Sequence, residues 1–171
     1  MYPEPENIWQ SLEYSGVGTF IAESTWAFPT IETIHVIALV TVVGTIAVMD
    51  LRLLGLASIR SSITQMTQDT LKWTWAAFVL AAISGSLLFV SKASSYVINP
   101  YFLWKMVMLA LAGLNMMYFH FITQRTLKDW DVHGTGPVPA MVKVAGLLSL
   151  IFWVLVVFFG RAIGFTLGIF Y

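Results

Sequence analysis

The stretch TIHVIALVTVVGTIAVMDLRLLG, residues 33–55, decides the fold. Its first 17 residues, 33–49, carry no Asp, Glu, Lys or Arg, and then Asp50 and Arg52 follow two positions apart. At about 1.5 Å per helical residue such a window covers ~25 Å, close to the ~30 Å hydrocarbon core of a bilayer. Three more windows share the property: residues 73–91, 106–124 and 144–160, of 19, 19 and 17 residues. Only 11% of the chain is charged, against roughly 25% in ordinary soluble domains. Backbone polar groups in lipid must be satisfied within their own segment, so continuous apolar windows imply helices. No alternating ten-residue pattern recurs, which argues against a membrane β-barrel.

The expected fold class is therefore all-α: an integral membrane four-helix bundle with a short N-terminal interfacial helix, forming a single domain over residues 1–171. The spans are expected at about 29–56, 71–93, 100–125 and 139–165, with the interfacial arm at 6–24. Pro29 suits the first turn of the first span, and Asn99-Pro100 opens the third in the same manner. In the arm, Ile8 and Leu12 fall one turn apart beside Trp9, and Gly16 and Gly18 are expected to end its helix. Residues 1–30 contain Glu4, Glu6, Glu13 and Glu23 but no Lys or Arg, so the basic region of a signal peptide is missing and cleavage is not expected.

Several function classes fall away at this stage. The chain has no cysteine, which removes disulfides, thiolate zinc sites, iron–sulfur clusters and thiol catalysis. Net charge is zero and no basic run occurs, so no nucleic-acid partner is expected. Arg52, Arg60 and Lys72 bracket the first connection, and Arg125, Lys128 and Lys143 the third. The positive-inside rule puts both connections in the cytoplasm and both termini in the periplasm, for a protein of the bacterial inner membrane.

Ionisable side chains at membrane depth normally face the bundle interior or water, and so they are the candidate site residues. His35 and Asp50 on the first span, and Lys105 and His120 on the third, are each fifteen residues apart. That spacing keeps each pair on one side of its helix with about 22 Å between levels. Two layers follow: an outer one with Glu32, His35, Lys92, Lys105 and Arg161, and an inner one with Asp50, His120 and Lys143. The outer layer has three bases against Glu32 alone, so an anionic group fits there: a phospholipid headgroup, haem propionates or a bound acid. Asp50 cannot readily meet Arg52, because residues two apart on a helix do not face one another. Its partner should come from another helix, unless Asp50 and Arg52 simply mark where the span leaves the bilayer.

Bis-histidine haem needs two imidazoles level with each other on facing helices. His35 and His120, the candidate metal ligands, are on different levels, so a second axial ligand would come from a methionine or a partner subunit. Met106 and Met108 are near His35 in depth, and Met49, Met116 and Met117 near His120; packing is the ordinary role of such residues. His133, in a polar loop, reads as solvated. Asn115, Thr41, Thr45, Ser84 and Ser86, with Gly44, Gly85 and Gly113, read as helix-packing residues.

The motifs Trp26-x-x-Pro29-x-x-Glu32-x-x-His35, Asp50-Leu-Arg-Leu-Leu-Gly55, Asn99-Pro-x-Phe-x-x-Lys105 and Asn115-x-x-x-x-His120 resemble small bacterial integral membrane proteins of unassigned function. More distantly, the architecture is similar to the copper-resistance D and cytochrome b-type bundles, which implies haem or quinone held between helices. The leading expectation is a membrane subunit of a redox or electron-transfer system, more an accessory or electron-transfer subunit than a stand-alone enzyme. It would carry haem b, or alternatively a quinone, with His35 as axial ligand or proton acceptor, Glu32 orienting it, and Lys105 and Arg161 on the propionates or quinone oxygens. Asp50 and His120 would complete an inner site. Its partners would be the lipid bilayer and other membrane or periplasmic subunits, or further copies of itself. Two competing classes are a non-catalytic anchor or assembly subunit and a transporter of small solutes or metals.

Overall fold

A computed structural model describes residues 3–56, 63–119, 140–167 and 169, with the side chains of 63–69 left aside. Among the described residues the chain is all-α: α1 (Ile8–Glu13), α2 (Gly16–Glu23), α3 (Ala27–Leu53), α4 (Ile63–Ser91), α5 (Ala93–Ile98), α6 (Pro100–Tyr118) and α7 (Ala140–Thr166). Four of these, α3, α4 from Thr70 onward, α6 and α7, are long and apolar enough to cross a membrane. Large apolar side chains such as Val40 and Val154 stand exposed on their outer faces, as a lipid-facing surface requires. The protein is a multi-pass membrane bundle.

Local chemistry sets the helix ends. The N-terminal arm forms two helices where one was expected, because it holds two caps. The Asn7 side chain accepts from the backbone N–H groups of Trp9 and Gln10, at 3.0 and 2.9 Å, and the Ser15 hydroxyl accepts from that of Gly18 at 3.2 Å. Each satisfies amides that a helix start leaves without partners. Gly16 thus begins a helix instead of ending one. Gly18 is needed at the corner, since a Cβ there would run into the Glu13 carbonyl. Glu13 in turn accepts from the Ser94 N–H at 3.1 Å, tying the arm to α5. At the other end of α3, Gly55 takes φ +77°; its N–H bonds the Arg52 carbonyl at 3.0 Å and that of Leu56 the Leu51 carbonyl at 2.9 Å. This pair of bonds is the Schellman stop, which explains the glycine that closes DLRLLG. Asn99 caps α6 by accepting from Tyr101 N–H at 2.9 Å, with Pro100 in the first helical position.

Packing runs α4 on α3, α3 on α7, and α7 on α6, while the backbones of α4 and α6 do not meet. The order is set by polar pairs and small residues at the crossings. Between α3 and α4, Thr74 donates to Thr45 at 2.8 Å and Thr70 to the Met49 sulfur at 3.7 Å. Between α6 and α7, Asn99 donates to Thr166 at 3.0 Å and Asn115 to the Ala145 carbonyl at 3.0 Å. Between α3 and α7 the contact is made by backbone: a Cβ on Gly146 would lie 3.1 Å from Leu53 Cβ and 3.2 Å from the Asp50 carbonyl oxygen. A buried cluster of Val42, Ala77, Ala112, Trp153 and Val156 draws on all four spans. At the end of the bundle nearest the arm, α4 and α6 are bridged by side chains alone, Phe89 stacking on Phe102 at 5.5 Å with Tyr96 and Trp9 against Phe89. Burial, and then the Glu32 carboxylate, push the Tyr96 phenol above its ordinary pKa, so it stays neutral in this aromatic cap.

Gly146→Ala should lower thermal stability in detergent by about 1–3 kcal/mol, since its neighbours are a backbone carbonyl and a Cβ that cannot swing aside. Gly113→Ala, where an added Cβ meets nothing within 4 Å, should leave it unchanged. Equal unfolding temperatures for the two variants would contradict the α3–α7 crossing.

Candidate functional site

Because α4 and α6 stay apart, a cleft of about 720 Å³ opens between them, with α3 and α7 as its floor. That is within the roughly 300–1,000 Å³ of small-molecule sites. Its walls are apolar and aromatic, including Trp75, Phe78, Trp153, Met49 and Met116. Trp75 and Met116 remain 49% and 40% exposed while lining it, so the cleft opens sideways between the two helices toward the position of the lipid.

One polar layer crosses this cleft, and each of the four spans contributes to it. Asp50 comes from the last turn of α3, Thr70 from α4, Asn115 from α6 and Ser149 from α7. The Gly146 crossing positions the first and last of these: it brings the Asp50 turn against α7 one turn before Ser149, whose hydroxyl hydrogen-bonds the Asp50 carboxylate. Asn115 reaches the Ala145 carbonyl, which is also the helical acceptor position for the Ser149 N–H. Asp50 is 4% exposed, and among the described residues its Oδ2 has no hydrogen-bond partner. A buried carboxylate oxygen left without a donor is costly, and the residue that bears it lines the cleft.

The other sequence-expected residues separate from this site. His35 sits fifteen residues earlier on α3, about 22 Å away, and does not line the cleft. Its Nδ1 pairs with the Ser84 hydroxyl at 3.0 Å. Ser84 already donates to the Leu80 carbonyl at 2.7 Å, so the imidazole is the donor in that pair. The ring lies against Gly85, where a Cβ would come 2.9 Å from its Cε1. His35 therefore serves the α3–α4 crossing. The charges of Lys105 and Glu32 both act on it, so these three do share a neighbourhood, although Glu32 is exposed.

Lys105 lies half-buried with its stem and amine 3.7–3.8 Å from the Cβ position of Gly160. Arg161, the next residue, does not join it. It is on the exposed side of α7 with its guanidinium 5.0 Å over the Phe165 ring, because adjacent helical residues are separated by about 100°. Lys92 is likewise exposed, its amine 5.4 Å from the Phe28 ring. Lys143 is exposed and does not reach Asp50. His120, expected as the partner of Asp50 and as a metal ligand, lies outside the described residues, as does His133. Among the described residues no three His, Asp or Glu side chains come together as a metal site. Arg52, which reads as a flanking charge, is instead buried at 6% exposure and engaged.

The fold and the site together define a class: a helical membrane protein with a laterally open cleft and, among the described residues, one buried acid. The chain belongs to a family of unknown function, DUF6644, whose model matches residues 13–166. No curated protein and no solved structure matches it.

His35→Ala should cost about 1–3 kcal/mol of thermal stability by removing the α3–α4 hydrogen bond to Ser84 and leaving a void beside Gly85. Arg161→Ala should cost less than about 1 kcal/mol, as an exposed cation–π pair. Thermal unfolding of the two variants in the same detergent checks the contrast, and the reverse order would contradict these placements.

Proposed function

We propose that this protein is a membrane subunit of a redox system and that its cleft holds the headgroup of a lipid-soluble quinone. The observation that carries the reading is the Asp50 carboxylate oxygen, buried and without a partner among the described residues, beside about 720 Å³ of aromatic-walled space. A quinone ring is flat, apolar on its faces and polar at two opposite edges. Trp75, Phe78 and Trp153 offer faces for stacking, and the polar layer of Asp50, Asn115 and Ser149 meets one edge. The sideways opening suits a ligand that arrives dissolved in the bilayer. Quinone is favoured over haem b because the cleft offers thioethers, of Met49, Met116 and Met117, and no imidazole among its described lining, whereas His35 is engaged elsewhere.

The protein is, on this reading, an inner-membrane subunit with both termini in the periplasm and Asp50 toward the cytoplasm. It would pass electrons through partner subunits.

Two measurements test this. Titrating the protein in nanodiscs with a short-chain benzoquinone should quench tryptophan fluorescence saturably, and Gly113→Trp, which fills the cleft, should weaken that binding at least tenfold; unaltered titration would refute the site. The chain has no cysteine, so single substitutions report topology cleanly. Glu4→Cys should react with an impermeant maleimide added to spheroplasts and Lys128→Cys only after lysis, and the opposite pattern would invert the orientation.

A further inference from the structure

A second interior layer lies toward the arm, well removed from Asp50. The hydrogen bond from Asn99 to Thr166 pins α6 against α7; Lys105 follows Asn99 by as many residues as Gly160 precedes Thr166, so the antiparallel helices bring Lys105 and Gly160 level. Lys105 Cδ, Cε and Nζ are 3.8, 3.7 and 3.8 Å from the Cβ position of Gly160. The stem therefore lies flat across α7. Side chains on a helix lean toward its N-terminus, which on α6 is the end nearest the arm, so a lysine here could readily snorkel outward to water. It is held inside instead. His35 enters the same layer from α3, against Gly85 of α4, and the charge of Lys105 acts on it. Each span gives the layer one residue, and the two glycines leave room for the two long side chains.

This layer holds a cation without a counter-charge. Lys105 Nζ makes no ion pair or hydrogen bond among the described residues, and no carboxylate among them acts on it. Glu32, one turn before His35, acts on His35 and on the Tyr96 phenol, but it is exposed. The imidazole gives its Nδ1–H to Ser84 and brings no negative charge. An ammonium kept inside a membrane bundle without a partner is costly, yet Nζ retains accessible surface. We propose that the layer is a binding site for a group of single negative charge, held on Lys105 Nζ where α6 meets α7 and His35. Two sources supply such a group: a small monovalent anion from solution, and the phosphodiester of a lipid headgroup. Neither involves the cleft, so this site stands or falls separately from the quinone reading.

The test follows thermal unfolding of the full chain in maltoside micelles, at an ionic strength held constant with sodium sulfate. Sodium bromide is titrated in one arm and phosphatidylglycerol in mixed micelles in the other. The unfolding temperature of the wild type should rise saturably by about 3 °C or more in one arm, and the arm that responds names the source. Lys105→Met should abolish the rise, and Arg161→Gln, which removes the exposed cation beside Gly160, should keep it. No response in either arm, a rise that never saturates, or the same rise in Lys105→Met overturns the proposal. Should Lys105→Met fail to fold, the wild type and Arg161→Gln decide: saturation in both supports the site, and its loss in Arg161→Gln overturns it by placing the anion on the outer face of α7.

Discussion

The contact on which the structure depends is the approach of α3 to α7 at Gly146. A hydrogen in place of a side chain lets the last turn of α3 press its Asp50 carbonyl and Leu53 Cβ against α7 at little more than 3 Å from where a Cβ would stand. The approach seats Asp50 one turn from Ser149, and it makes α3 and α7 the central pair of the bundle. The other two crossings use the same device with a long polar side chain in place of backbone. His35 of α3 fills the space at Gly85 of α4, and Lys105 of α6 lies along Gly160 of α7. In a bilayer, where lipid tails are as apolar as leucine, close packing and interhelical hydrogen bonds are what hold helices together. Each glycine here admits a polar residue of its neighbour.

The cleft is the geometric consequence. With α4 bound to one side of the central pair and α6 to the other, the outer two helices diverge, joined across the gap by the ring stack of Phe89 on Phe102 near the arm. Toward Asp50 nothing among the described residues fills the gap between them, and the polar layer is left facing it. Asp50 ends a long apolar helix, where the dipole disfavours an acid. The Ser149 hydroxyl offsets part of that cost, and a ligand donor at Oδ2 would offset more. The acid is thus in a position that folding alone does not favour, as functional groups often are.

The number and nature of the spans were legible because charge is absent from four windows of the right length, a signal that needs no knowledge of packing. Helix caps were legible in part: Asn99-Pro100 is a local pattern, whereas the second helix of the arm depends on Ser15, whose role shows only once Gly18 N–H points at it. The inner layer expected from the sequence held Asp50 with His120 and Lys143; the structure sets Ser149 and Asn115 beside Asp50, and His120 lies outside the described residues. Helical arithmetic fixes depth, so Asp50 falls where an inner polar layer exists. It does not fix which neutral residues of other helices share that depth, and Ser149 and Asn115 look like ordinary packing residues in sequence. Likewise, the membrane position of Arg161 was readable, but its direction was not: the preceding Gly160 faces Lys105 and turns Arg161 outward. His35 looked like a ligand because ionisable residues in membranes often are. Its partner Ser84 lies 49 residues away, beyond any local pattern.

The central claim is that α3 and α7 pack at Gly146 and so hold Asp50 at the base of a cleft between α4 and α6. An experimental density map of the protein, purified in native lipid and supplied with a short-chain quinone, tests it most directly. The account requires planar density against Trp75 or Trp153 with one polar edge within hydrogen-bonding distance of Asp50. A map in which α4 closes on α6, or in which Asp50 turns away to water, would contradict it.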